Sequence, residues 1–198
     1  MNRARFAVLL TCVAMAITLV ASGCGEDRSD EAWQQADRVM AEQHPGAYLV
    51  SIGSGGLALA DQPHEWSFVY YDPSDRSMWL VFIHEGSEPT VRTIGESKAV
   101  VSDPFDSNEI QVTPDRAVRL AREFADDLGI TLPPNVMVGG ALAEMEGGEA
   151  LGMVPGMWTV TFAAGTDTSD ARTFAVDMFT GDVTDLNADT GTPAGGTD

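Results

Sequence analysis

Lysine is almost absent from this sequence. Lys98 is the one lysine in 198 residues, and the ten arginines beside it face 30 Asp and Glu, for a net charge of -19. That balance excludes a nucleic-acid binder, which needs a basic face to meet phosphates. Cysteine is as scarce: Cys12 and Cys24 are the pair, and Cys12 falls in the export segment described below, so the exported chain has no internal disulfide and packing alone holds the fold. The three histidines, His44, His64 and His84, recur at a spacing with no mechanical meaning for a metal site, and no metal or other cofactor is expected. Gly-x-Ser-x-Gly, a phosphate-cradling Gly-Lys-Ser/Thr and a Cys-His pairing are all missing, so nucleophilic catalysis has no visible candidate and the chain reads as a non-enzyme. What is present, 44% hydrophobic and 8% aromatic residues, is enough apolar material for a core and excludes a disordered acidic polymer.

The one long apolar run is at the front. Arg3 and Arg5 precede an apolar stretch from Phe6 to Val20, then Ala21, Ser22 and Gly23, the three parts of a secretory signal, residues 1–23. The run is short of the about 20 residues that span a bilayer, so removal is expected. Ala21-Ser22-Gly23-Cys24 resembles the lipobox of bacterial lipoproteins, with Ala21 where that family usually has Leu. The resemblance implies a diacylglyceryl group on Cys24, cleavage before it and acylation of the new amine. Several acyl chains hold a protein on a membrane where one is marginal. In a cell with two membranes, Gly25 in place of the Asp that retains some lipoproteins implies sorting to the outer one; with a single membrane the protein sits on its outer side. The mature chain carries 30 acids and nine bases, and such a charge is expected to hold the globular part off anionic lipid.

After a polar tether, residues 24–29, the spacing of Trp33, Ala36, Val39 and Met40 predicts a helix from Asp30 to Gln43, stopped by Pro45-Gly46. Strands are predicted at 47–52, 57–60, 65–71 and 78–84, the last two as a hairpin. Residues 91–110 hold an edge strand and a linker, 103–111. A second helix follows, with Thr113 as N-cap, Pro114 at the first helical position, an apolar face from Ala117 to Leu128 and Gly129 as the stop. Strands are predicted again at 136–143, 157–163, 173–178 and 182–186, and residues 188–198 read as a disordered tail.

Aligning Trp66-Ser67-Phe68 with Trp158-Thr159-Val160 makes the order of elements recur. The expected class is therefore α+β: two tandem helix-on-antiparallel-sheet units, residues 30–102 and 112–187. The second unit resembles the PepSY domains found in propeptides of thermolysin-type proteases and in many exported bacterial proteins. The carriers are Thr113-Pro114-Asp115-Arg116-Ala117, Trp158-Thr159-Val160-Thr161-Phe162, and above all Asp177-x-x-Thr180-Gly181-x-Val183, a hairpin whose Thr-Gly makes the turn. The first unit has His84-Glu85-Gly86 at that place. The resemblance implies a non-catalytic domain that binds or restrains another protein, such as a protease.

On the same alignment Met78, Leu80 and Phe82 face the helix, while Trp79, Val81 and Ile83 form a second apolar stripe, extended by Val69 and Tyr71, for packing between the units or for a protein partner. The acidic turns 72–75 and 167–170 lack a calcium-loop pattern and read as turns, and Glu144, Glu146 and Glu149 as a solvated loop. Arg116, Arg119 and Arg122 share one helix stripe, where Glu123 and Asp126 are placed to pair with two of them. The expected function is a lipid-anchored envelope protein that binds another extracytoplasmic protein; an envelope hydrolase using surface carboxylates and a purely structural lipoprotein are the alternatives.

Overall fold

A computed structural model describes residues 28–54, 65–97, 101–102, 104–144, 154–164 and 170–188. The elements are α1 (Arg28–Gln43), β1 (Tyr48–Ser54), β2 (Glu65–Asp72), β3 (Ser77–His84), β4 (Thr90–Glu96), α2 (Pro114–Asp127), β5 (Asn135–Ala141), β6 (Met157–Ala163), β7 (Arg172–Asp177) and β8 (Val183–Asp185). The signal segment, Cys24, the strand expected at 57–60 and nearly all of the tail lie outside the described residues.

All eight strands form one antiparallel sheet in the order β4-β3-β2-β1-β5-β6-β7-β8. This corrects the expected class. The fold is predominantly β, with two α-helices and a single 3-10 turn (Ser107–Glu109) among the described residues, and it is not two tandem helix-on-sheet units. The seam that removes the boundary is β1 against β5, where Ile52 lies opposite Gly140 and Gly53 opposite Gly139. The pattern of strands and helices did not reveal it, because long-range pairing leaves no local periodicity.

One hydrophobic core runs under both helices. It joins Ala32, Ala36 and Met40 of α1 and Ala117, Val118, Ala121 and Ala125 of α2 to buried side chains of β1, β2, β3, β5, β6 and β7. Small residues on the helices let them lie close to a sheet whose own side of the core is large: Trp66, Phe68, Trp158, Phe162 and Phe174. Trp158 is fully buried and donates its indole N–H to the Val112 carbonyl at 2.7 Å, so its polar edge is satisfied. Gly140 makes room for it, since a Cβ there would lie 2.4 Å from both the Trp158 ring and Met178 Cε.

The second helix begins as the sequence predicts. Thr113 is in extended geometry and its hydroxyl accepts the Arg116 N–H, Pro114 opens the helix, and Gly129 stops it at φ 68°. The first helix starts at Arg28, two residues ahead of the predicted position. The two N-termini meet: Ser29 donates its backbone N–H to Asp115 Oδ2 at 3.0 Å, and Ser29 Oγ accepts the Asp115 N–H at 3.4 Å.

Candidate partner-binding face

Because directly paired residues share a side of a sheet, the register fixes which side chains face the helices. Trp66, Phe68 and Tyr70 lie opposite Ile83, Val81 and Trp79. Val81 and Ile83 are buried in the core beneath α1, and Trp79 is half-buried against it. The stripe expected to point away from the helix therefore points toward it, and Met78, Leu80 and Phe82 take the open side. The alignment is off by three positions: it sets Met78, Leu80 and Phe82 against Phe174, Val176 and Met178, whereas Val81 stands where Phe174 stands, since Phe68 pairs with Val81 as Val160 pairs with Phe174. A slip by an odd number of residues inverts every side chain of a strand.

Trp79 is held at both ends. Its ring stacks on His44, with centroids 3.7 Å apart, and its indole N–H donates to Ser77 Oγ at 2.8 Å. Val69 and Tyr71 of the expected stripe do lie on the open face. There Tyr71 is buried with Val50 and Ala143, and Tyr48, Val69, Met78 and Val101 pack around them. Val101 is accompanied there by bonds of its described neighbours: Tyr48 donates its hydroxyl to the Ser102 carbonyl, Glu144 donates its N–H to Ser102 Oγ, and Phe105 donates its N–H to the Leu142 carbonyl.

Beyond that cover, Leu80 and Phe82 are half-buried, opposite Arg92 and Thr90 of β4. The Arg92 guanidinium lies 5.9 Å from the centre of the Phe82 ring. The far end of the open face is of another character, carrying Thr159, Thr161, Thr173, Ala175 and Thr184. Apolar side chains thus collect on the β3–β4 side, next to the edge of the sheet. The edge strand β4 is itself exposed, with Ile94 as the extra residue of a bulge and 56% accessible.

The Asp177-x-x-Thr180-Gly181 segment forms the turn between β7 and β8. The Asp177 carboxylate accepts the N–H groups of Phe179 and Thr180, each at 2.8 Å, and Gly181 adopts φ 82°. Hydrogen bonding from Thr180, then from Phe179, holds the Asp177 carboxyl below its ordinary 3.8 against an opposing effect of burial. Gly181 sits against Leu120 and Val112, so the turn also braces α2. Its work is structural.

His44 and His84 stand apart, His44 at the Trp79 end of β3 and His84 as the last residue of that strand, and His64 lies outside the described residues. No group of His, Cys, Asp or Glu among the described residues is placed to hold a metal. In the 72–75 turn Asp72 accepts the Ser74 N–H and Asp75 the Ser77 N–H. The helix arginines are spread: Arg116 donates to the Gln111 carbonyl, and Arg122 lies 5.2 Å from the Phe162 ring centre. Asp170 and Glu144 are exposed, and Asp167, Glu146 and Glu149 lie outside the described residues.

A contact the sequence did not signal ties α1 to the sheet. Tyr70 donates its hydroxyl to Asp37 Oδ1 at 2.6 Å, and Trp33 also hydrogen-bonds the same carboxylate. Burial pushes the Asp37 carboxyl above 3.8, against the lowering effect of those two donors. Burial, then the Asp37 charge, pushes the Tyr70 phenol up. A cleft of about 340 Å³ opens beside α1, floored by Trp66 and Ile83 and rimmed by Arg28, Glu31, His84 and Glu85, with Arg28 and Glu85 paired at 3.3 Å.

No helix of the described residues is long and apolar enough to cross a membrane. The fold defines a class, an open antiparallel sheet with both α-helices of the described residues on one side. The chain matches no family model, no curated protein and no solved structure.

Proposed function

We propose that this is a non-catalytic, lipid-anchored protein of the cell envelope, held by acyl chains on Cys24, that binds or restrains another extracytoplasmic protein through the open face of its sheet. The observation that carries the reading is the set of half-buried apolar side chains Leu80 and Phe82, with Val69 and Met78 beside them, on the sheet face opposite the two α-helices of the described residues. Such a patch beside an exposed edge strand offers a partner both apolar area and backbone hydrogen-bonding groups. Leu80→Asp tests it, because that residue points away from the core. Partner capture lost in a folded Leu80→Asp protein supports the reading, and unchanged capture overturns it. Trp79→Asp would not serve, since Trp79 packs against the core and its loss would disturb the fold itself.

A hydrolytic alternative has one observation behind it: Glu31 and Glu85 line the same cleft beside His84. Turnover of glycan or peptide substrates that is abolished by Glu31→Gln would favour it over the binding reading.

A further inference from the structure

The methionines of the described residues are sorted by side of the sheet. Met40 and Met178 are buried in the core beneath the helices, whereas Met78, Met137 and Met157 are half-buried on the open face. The register places them there: Met78 lies opposite Tyr71, Met137 opposite Thr161 and Met157 opposite Asp177, while their sequence neighbours Val136, Val138 and Trp158 point into the core. We propose that Met78 is an oxidation site, and that its conversion to the sulfoxide by a two-electron oxidant such as hypochlorous acid releases the partner from the open face. The inference rests on the open face being the side that binds the partner.

The surroundings of Met78 set it apart from the other two. It packs with Tyr48, Val69 and Val101 around Tyr71, Val50 and Ala143, and it shares its side of β3 with Leu80 and Phe82. On its other flank it lies opposite Gly95 of β4, which presents no side chain to it, and nothing stands within 4 Å of where a Gly95 Cβ would be. The thioether is thus part of the apolar patch and open to small solutes from the edge of the sheet. After the signal segment Cys24 is the one cysteine, and its sulfur carries the anchor in the proposed form, so no free thiol of this chain competes for the oxidant.

The sulfur lone pair attacks chlorine, the O–Cl bond breaks and hydroxide leaves; water then adds at sulfur, chloride leaves, and the protons pass to hydroxide and solvent. The net change takes thioether and hypochlorous acid to sulfoxide, chloride and a proton, with sulfur oxidised and chlorine reduced by two electrons. Two thiols of a sulfoxide reductase reverse it, yielding a disulfide and water. A thioether is soft and apolar and suits an adaptable binding surface, whereas a sulfoxide carries a strong acceptor oxygen. Water meets that oxygen in the free protein. Beneath an apolar partner surface it loses that water, and binding weakens by about tenfold.

The test uses the full-length anchored protein in the native envelope, with a photocrosslinking residue at Leu80, before and after a pulse of hypochlorous acid, and peptide mass spectrometry to read each sulfoxide. Met78 should oxidise about tenfold faster than the buried Met40 and Met178. Oxidation should cut the Leu80 adduct about tenfold, and thiol with sulfoxide reductases should restore it, while Met78→Leu, a volume-conserving change, keeps its adduct through the pulse. Met78 oxidising no faster than Met40, an undiminished adduct with Met78 shown to be the sulfoxide, or equal loss in the parent and Met78→Leu overturns the switch and leaves the open-face reading standing. No Leu80 adduct in the untreated parent overturns both.

Discussion

Ser29 and Asp115, 86 residues apart, cap each other: the backbone N–H of Ser29 donates to the Asp115 carboxylate, and the backbone N–H of Asp115 donates to the Ser29 hydroxyl. Both residues are buried. Each satisfies an N–H that a helix's first turn leaves without an intrahelical partner, and an acid there also complements the positive end of the helix. Asp115→Ala removes a charged acceptor from a buried site, and we expect a loss of about 2 kcal/mol in urea unfolding. With one core running under both helices, the chain from Gly25 onward should unfold in a single transition monitored by both fluorescence and circular dichroism.

Gly140→Ala places a methyl against Trp158 and Met178 in a core with no room for it. A loss of about 1–3 kcal/mol is expected from overpacking, and a smaller partner restores part of it, as in Gly140→Ala with Met178→Ala. A Gly140→Ala protein as stable as the parent would show that the seam between β1 and β5 is looser than described.

The Asp37 and Asp177 carboxyls have opposite dependences on pH. Burial raises Asp37 above 3.8, so the native state holds that proton more tightly than the unfolded chain does; its favourable contribution is complete below 3.8 and is lost as pH rises through the raised value. Thr180 and Phe179 hold Asp177 below 3.8, so its contribution is present above 3.8 and is lost as pH falls through the depressed value. Relative to Asp37→Asn, the parent should lose stability on going from pH 3 to pH 7. Relative to Asp177→Ala, it should gain stability over the same range. Tyr70→Phe removes a donor to Asp37 and should raise that carboxyl further, as read by an NMR titration of its carbonyl carbon.

Gly181→Ala forces a residue with a Cβ to φ 82° and brings that Cβ within 3.2 Å of Leu120. A cost of about 1–2 kcal/mol is expected from the left-handed backbone alone.

Local signals in the sequence carried far. Thr113, Pro114 and Gly129 marked both ends of α2, and Asp177, Thr180 and Gly181 marked a turn, because caps and turns are decided by side chains acting on their own backbone. Register was not legible in the same way. Met78 to Ile83 is apolar at every position, so period-2 alternation gave no way to choose the buried side, and the side chosen by aligning the two Trp-led strands was inverted. The pairing of β1 with β5, the contact of Ser29 with Asp115 and the clasp of Asp37 by Tyr70 join residues far apart in the chain and leave no local pattern.

The central claim, that the open face of β3 is where a partner sits, is tested most directly by site-specific photocrosslinking in the native envelope. A crosslinking residue placed at Leu80 should give one discrete adduct that Phe82→Asp abolishes, while the same residue at Arg119 on the helix layer gives none. Adducts of equal yield at both positions, or none at Leu80 in a folded and anchored protein, would contradict the account.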